Sequence, residues 1–581
     1  MAVRADGADH PRYRAAARRG RLRSDYPQIS AGLEPVVVEL ARRGKLLVGE
    51  PYFTAGVPIV VDRKGAGEGR PGDLAVVSGR RGRARVQRVL GSAKRIENVL
   101  EALLVETGAR QGFEPHDAPA PLLEGRVDLR DELSFTIDPE TAKDFDDALT
   151  LKDDRVYVHI ADVSYFVPAG TPLDRGAAER AFSTYVPGRV APMLPPDLSE
   201  DLCSLRPRED RLCVTVEIPL EGGQPSFYRS VIRSRERLTY GRAEEILAGR
   251  ERVDADLTEA LRRAEAVSTD LRERRFARGA LRVESPEIEF EFDPSGGVAR
   301  AWRAEEAHSH MLVEELMILA NERVAALLAG RRREAPFRVH ERPEPQAVQL
   351  LLAKLADLKV PTPPAPEDLS PADAAALAAD ASELVTEYSA NSGRGREAFP
   401  SLVLRALKQA RYDPRNLGHS GLASSAYCHF TSPIRRYPDL VVHRALLSEL
   451  DLSGDPVPPD LGELAEHTSE RERAAADVEY RADDICLSWL LDAELYERGW
   501  DEPFEGEIIG VIGSGLFARF GEVFEGFLPA RRLAGDYFEL NDLGTALVGR
   551  RGGGTFRLGD PIAVRVESID KPAGKVELAP G

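Results

Sequence analysis

Residues 136–151 read TIDPETAKDFDDALTL, with Asp138, Asp144, Asp146 and Asp147 gathered between apolar segments. The pattern resumes at residues 155–167, RVYVHIADVSYFV, where Val156, Val158 and Ile160 alternate with Tyr157, His159 and Ala161. A period of two is a strand's period, so the spacing predicts a sheet with the carboxylates at its edge. Asp138-Pro139 alone is an ordinary turn signal. Four carboxylates together repel one another and call for a positive partner. A hard divalent cation, magnesium with manganese as a substitute, prefers oxygen ligands. Two such ions about 4 Å apart can activate water and stabilise a leaving oxygen in phosphodiester hydrolysis. A calcium loop fits less well, because regular alternate ligands and a closing glutamate are missing.

Outward from this stretch, strand patterns dominate from about 126 to 235 and helical ones from about 240 to 500, including HSHMLVEELMILANERVAALLAG at 308–330. That combination indicates a mixed α+β domain. Pro-rich loops interrupt it at Pro361 and near 455. Upstream, KLLVG, VPIVVD and DLAVVSG within 36–95 have the spacing of a small antiparallel barrel, and strands and turns return after Pro503. The organisation expected is a basic leader (1–35), a barrel and connector (36–125), an α+β domain (126–500) and a second small β domain (504–581).

A chain of 581 residues, 43% hydrophobic and 30% charged, can bury several cores. Its four cysteines are scattered and form no CxxC pair, which fits a reducing compartment. The first residues lack the apolar core of a signal peptide, and no apolar run is long enough to span a bilayer. A cytoplasmic monomer with no membrane association is expected. The net charge of -18 argues against a protein coated in nucleic acid, yet basic residues concentrate locally. Arg12, Arg14, Arg18, Arg19, Arg21 and Arg23 crowd the leader, where they read equally well as solvated surface. In GRRGRARVQRVL, by contrast, Arg83, Arg85 and Arg88 fall in a strand-like alternation that aims arginines from one face.

Two further segments suit a phosphodiester. In TSPIRRYPD, Ser432 is placed to cap a helical turn with Pro433 at its first position, leaving Arg435 and Arg436 near the positive end. Arginine binds phosphate bidentately and stays charged, although one of the two could simply pair with Asp439. Residues 182–207, FSTYVPGRVAPMLPPDLSEDLCSLRP, read as a proline-studded loop whose Tyr185 could stack on a base.

Together, TIDPETAKDFDDAL, HIADVSYFV, the TYVPG to DLCSLR segment, LVEELMILANE and HFTSPIRRYPDLVVHR resemble the catalytic domain of the RNB exoribonucleases, the ribonuclease II and ribonuclease R family, over about 126–500. The resemblance implies processive, magnesium-dependent hydrolysis of single-stranded RNA from its 3′ end to nucleoside 5′-monophosphates. It implies that Asp138, Asp144, Asp146 and Asp147 hold metal, with Asp146 most critical, and that Tyr185 holds the 3′-terminal nucleotide. Arg435 would contact the scissile phosphate, Glu479 would lie near the active site, and Tyr240 with Glu314 or Glu315 would recognise ribose. Residues 504–581 resemble an S1 domain, an OB barrel with Phe517, Phe520 and Phe527 as candidate stacking residues, some of which must instead fill the barrel. Residues 36–95 resemble one cold-shock-like barrel where bacterial members commonly carry two. A catalytically silent RNA-binding protein of the same fold, an endonuclease and a DNA-degrading enzyme are the alternatives.

Overall fold

Five strands, β1 (Leu33–Arg43), β2 (Leu46–Pro51), β3 (Ile59–Val61), β4 (Asp73–Arg80) and β5 (Arg83–Ser92), close into a barrel in the order β1-β2-β3-β5-β4. They belong to a computed structural model that describes residues 33–581 apart from 63–66, 81–82, 110–111, 283–286, 305–306, 534 and 553. The leader's six arginines and Arg81 therefore lie outside the described residues. Val38, Leu40, Val61, Ala75, Val77 and Ala84 fill the barrel. Arg85 stands opposite Ser78, and a register shift brings Arg88 opposite Val76. Partners across a ladder share a face, and Val76 and Ser78 are two apart, so the bulge returns Arg88 to the outer face that Arg85 occupies. Helix α1 (Ile96–Glu106) packs against this barrel.

The alternation around the aspartates builds a seven-stranded sheet from β6 (Val127–Leu129), β7 (Phe135–Asp138), β8 (Asp147–Lys152), β9 (Arg155–Ala161), β12 (Arg211–Pro219), β13 (Ser226–Ile232) and β14 (Glu236–Thr239). Its order is β14-β7-β8-β9-β12-β13-β6, antiparallel except for the parallel pairs β14·β7 and β13·β6. Both faces are covered. Val156, Val158 and Ile160 share one core with Leu312 and Leu316. Ala148, Ala161 and Cys213 join a second core on the opposite side, with Leu440 and Val441. His159, which the alternation places opposite the valines, is fully buried and bonded to the hydroxyls of Thr150 and Thr215. Outside this sheet stand three short ladders: β10 (Thr184–Val186) with β11 (Arg189–Ala191), β15 (Ile288–Phe292) with β16 (Val298–Arg303), and β17 (Phe337–Val339) with β18 (Arg411–Asp413). The first is a correction. Residues 184–191, read as loop, pair Tyr185 with Val190 in a hairpin. A three-residue strand beside prolines and a glycine is too short for periodicity to register.

The helices follow as α2 (Pro172–Arg180), α3 (Tyr240–Leu247), α4 (Ala255–Ala277), α5 (His308–Gly330), α6 (Pro345–Asp357), α7 (Pro371–Ser392), α8 (Ala398–Ala406), α9 (Tyr437–Glu449) and α10 (Leu461–Arg498). The Ala-rich α7 begins at a full capping box, Ser370 with Asp373, preceded by the expected Pro-rich connector. Beyond α10, strands β19 (Phe504–Ile512), β20 (Gly515–Phe520), β21 (Phe524–Pro529), β25 (Pro561–Asp570) and β26 (Lys575–Pro580) close a second barrel in the order β19-β20-β21-β26-β25. A three-stranded sheet of β22 (Phe538–Leu540), β23 (Ala546–Gly549) and β24 (Thr555–Arg557) is inserted in it.

The two barrels are not hung on the central domain as separate beads. One continuous core joins Phe53 and Val76 of the first barrel, Leu100 and Leu103 of α1, Val186 and Ala191 of the hairpin, Ile485 and Leu491 of α10, and Phe520 and Leu578 of the second barrel. Gly574, at φ +62, closes the turn before β26 so near α10 that a Cβ there would lie 2.6 Å from Asp484 Cβ and 2.8 Å from Ile485 N. Only glycine combines that backbone with that approach. Lys571 reinforces the contact by donating to Asp492 at 2.7 Å. Among the described residues, no helix is long and apolar enough to cross a membrane.

Candidate active site

The sheet delivers the aspartates. Asp138 ends β7, where parallel pairing sets it beside Thr239, so Tyr240, the first residue of α3, emerges next to it. Asp147 opens β8 opposite Ile160. Between them, residues 139–146 form an irregular connection, pinned where Phe145 N–H donates to Ser204 Oγ at 3.0 Å. Asp146 is 4% exposed, and its Oδ1 accepts the Ile434 N–H at 2.8 Å. Its Oδ2 is buried without a hydrogen-bond partner, as is Asp138 Oδ2.

Ile434 belongs to the TSPIRRYPD segment, which behaves differently from its sequence reading. The Ser432 carbonyl accepts from the N–H groups of Arg435 and Arg436 at 3.3 and 3.0 Å, closing a single turn. Helix α9 starts only at Tyr437, after an extended Arg436. The Ser432 hydroxyl does not cap that helix. It accepts from Arg435 Nη2 at 3.2 Å and thereby aims the guanidinium. The arginines divide as the sequence allows. Arg436 donates to the fully buried Asp439 at 2.7 Å, which also accepts the Ser432 N–H at 2.8 Å. Arg435, 46% exposed, stands with Nε 3.6 Å from Asp146 Oδ2.

A ring of hydrogen bonds closes the site. The Arg435 carbonyl accepts from Ser183 N–H at 2.9 Å. Two residues on, the Tyr185 N–H donates to Glu479 Oε1 on α10 at 2.8 Å, and its hydroxyl donates to Asp144 Oδ2 at 2.7 Å. Thus Asp144, Asp146, Tyr185, Arg435 and Glu479, separated by hundreds of residues in sequence, share one network. Tyr240 lies at its border with its ring against His310, a neighbour the sequence does not reveal because the HSH that opens that helix belongs to no recognisable ligand or catalytic spacing.

The electrostatics are those of crowded, buried carboxylates. Burial raises Asp146 well above the ordinary range, against the opposing pull of Arg435. Burial likewise raises Asp147 to about 6, and burial followed by the charge of Asp147 raises Asp138 to about 7. Glu479 is pushed up to about 6 by burial, offset by the Tyr185 N–H. Burial and then the neighbouring aspartates, Asp144 and Asp147 respectively, hold the Tyr185 and Tyr240 hydroxyls protonated. Among the described residues, no three His, Cys, Asp or Glu side chains already stand as a ready cation cage. The donor chemistry nevertheless fits a hard cation: the oxygens come from carboxylates alone, two of them are buried without partners, and the charged forms are destabilised until a positive ion arrives.

Of the remaining candidates, Glu315 is buried in an ion pair with Arg275, which leaves Glu314 as the more exposed of the two. Phe520 is a correction. It is fully buried, packed edge-on against Phe504 at 5.2 Å, and fills the barrel rather than offering a stacking surface. In β20 the even positions Leu516, Ala518 and Phe520 point inward, so the odd ones point out. Phe517 and Phe527 are paired across β20 and β21 on that outer face, half-buried, with ring centres 5.0 Å apart.

A two-barrel α+β protein with buried carboxylates beside an aimed arginine defines the class, and comparison with known proteins supplies the lineage. The RNB domain family matches residues 126–451, and the chain belongs to that family. It is 37% identical over 482 residues to Ribonuclease R of Aquifex aeolicus, an alignment covering 80% of this chain and 66% of that protein. Against Ribonuclease R of Escherichia coli the identity is 36% over 494 residues, covering 80% and 58%. The chain thus spans about three fifths to two thirds of the length of these relatives. Among solved structures, Mycoplasma genitalium RNase R in complex with ribose methylated single-stranded RNA superposes with a TM-score of 0.82 at 24% identity, covering 95% of this chain and 90% of that one. Yeast Ssd1, a pseudonuclease, superposes at 0.64 and 16% identity, covering 90% and 68%. The fold therefore occurs both with and without nuclease activity.

Proposed function

We propose that the chain is a 3′-to-5′ exoribonuclease, hydrolysing single-stranded RNA processively to nucleoside 5′-monophosphates with magnesium, as a cytoplasmic monomer engaged in RNA turnover. The carrying observation is that Asp144, Asp146, Arg435, Tyr185 and Glu479 meet in one hydrogen-bonded site. The ribonuclease R relatives support the reaction, and the full set of four aspartates speaks against a catalytically silent RNA-binding protein of the same fold.

Asp138, Asp144, Asp146 and Asp147 would hold the metal, which when bound supplies an activated water and charge neutralisation at the phosphate. Arg435, steadied by the Ser432 hydroxyl, stabilises the charge that develops on the scissile phosphate. Tyr185 clamps the terminal nucleotide from a hairpin that Glu479 holds in place. Tyr240 and Glu314 face the ribose. Phe517 and Phe527 stack bases on the second barrel, while Arg85 and Arg88 attract backbone phosphates to the first. A negative total charge is compatible with this, because field along the path, rather than net charge, governs RNA entry.

The test is chelation. EDTA should abolish cleavage of single-stranded RNA, magnesium or manganese should restore it, and the products should carry 5′-phosphates. Full activity in chelator would overturn the metal assignment.

A further inference from the structure

The hairpin that carries Tyr185 is not a strand of the central sheet, so its position depends on what it touches. Its apolar side, Val186 and Ala191, packs in the core shared with Val99, Leu100 and Leu103 of α1. The same face carries a charged tie to that helix. Arg189, paired with Val186 across the hairpin, reaches Glu101 with Nη1 3.4 Å from Oε2. The other oxygen of that carboxylate, Oε1, accepts from Arg88 Nη2 of β5 at 3.0 Å. Glu101 is 8% exposed, whereas the Arg88 side chain is 55% exposed. One sheltered carboxylate therefore faces two arginines, one on the outer face of the N-terminal barrel and one on the clamp. Among the described residues, Glu101 is the only carboxylate paired with Arg189.

We propose that Glu101 is a positioning residue for the Tyr185 clamp: it fixes the hairpin relative to the N-terminal barrel through Arg189 and Arg88, and so sets the length at which the RNA stops being shortened. The inference rests on the exonuclease reading. Glu101 has no role in the bond-breaking step, since neither its carboxylate nor Arg189 belongs to the network around Asp146. Its influence is geometric. The hydroxyl of Tyr185 must reach Asp144 and its N–H must reach Glu479 at once, and a hairpin held to α1 by non-directional apolar contacts alone can satisfy these in more than one placement. Because Arg88 is half exposed, RNA phosphate reaching the barrel competes for the same guanidinium that holds Glu101, which makes the clamp sensitive to whether the barrel is loaded.

The experiment uses the full chain and a 5′-labelled single strand, with the final product resolved to the nucleotide. Glu101→Gln should lengthen or spread the final product by at least one nucleotide. Its cleavage rate on long RNA should stay within about fivefold of wild type, as loss of a partly exposed ion pair permits. Arg189→Gln should give the same ladder, Arg189→Lys should restore the wild-type ladder, and the Glu101→Gln/Arg189→Gln double variant should shift no further than either single one. Hydrogen exchange at residues 184–191 should quicken in Glu101→Gln while β8 and β9 exchange as before, a readout independent of catalysis. A wild-type ladder from active Glu101→Gln, or additive shifts in the double variant, would overturn the inference alone. A wild-type chain that leaves RNA uncut removes the exonuclease reading and this inference with it.

Discussion

Asp146→Asn should make the protein more stable and nearly inactive at once. The carboxylate is buried, one oxygen is satisfied by Ile434 N–H, the other has no partner, and the nearest guanidinium is half exposed at 3.6 Å. An asparagine can turn its amide oxygen toward Ile434 and keep that hydrogen bond while removing the charge. The amide nitrogen that replaces Oδ2 has no partner either, so the gain comes from removing a charge whose burial is penalised: each tenfold excess of proton affinity in the folded over the unfolded state corresponds to about 1.4 kcal/mol, or about 2–4 °C per kcal/mol in a domain of 150–250 residues and less in a larger one. The pH dependence fixes the sign. A carboxyl whose folded pKa is raised contributes stability that is present below its unfolded value, about 3.9, and is lost as pH rises through the folded value. Asp146 is raised by burial, as are its neighbours Asp147 at about 6 and Asp138 at about 7. In chelator, wild type and variant should therefore melt together below about pH 4 and diverge as pH rises, with the variant higher at pH 8. Added magnesium should raise the wild type and narrow the gap. Cleavage should fall on the order of a thousandfold or more, as loss of a central charge-handling group does. A variant that melts below wild type at pH 8 in chelator would show that the carboxylate is a structural anchor, and the reasoning would fail.

Arg435→Lys should lower kcat on the order of a hundredfold with little change in RNA affinity, because lysine cannot reproduce the fork held by Ser432. Arg436→Lys, which disturbs the buried pair with Asp439, should appear instead as lowered stability in denaturant titration; the reverse pattern would exchange the two roles. Tyr185→Ala should change final product length while the rate on long RNA stays within about tenfold, as loss of one stacking contact allows; an unchanged ladder would sink the clamp assignment. Deleting 504–581 should impair cleavage of short and long RNA alike and lower the yield of folded protein, since Ile485 and Leu491 share their core with that barrel. Loss confined to long RNA would show that the barrel only anchors.

The last of these expectations runs against the sequence, which presents residues 504–581 as a separate bead. Strand spacing reveals a barrel but says nothing about its outer face. The joining contacts, Gly574 against Asp484 and Lys571 with Asp492, look in sequence like an ordinary turn and a surface charge. The central sheet was legible because its alternation is long and two-sided, and the aspartates because like charges crowd a short span. Asp439 as the partner of Arg436 could be read from three-residue spacing. The hairpin at 184–191 could not, since three-residue strands fall below any period. Phe520 was ambiguous for a related reason. In a barrel strand every second residue points inward, and with Phe517 and Phe520 three apart only the register decides which one is inside.

The central claim, that the carboxylate and arginine site removes nucleotides from a 3′ end, is tested most directly with 5′-labelled single-stranded RNA carrying either a free or a blocked 3′ terminus, beside a DNA strand of the same sequence, in magnesium. As a 3′-to-5′ exonuclease mechanism requires, the free-ended RNA should shorten continuously with release of nucleoside 5′-monophosphates, and the blocked RNA and the DNA should stay intact. Internal fragments from the blocked RNA, equal attack on DNA, or binding of all three strands with no cleavage would contradict the claim.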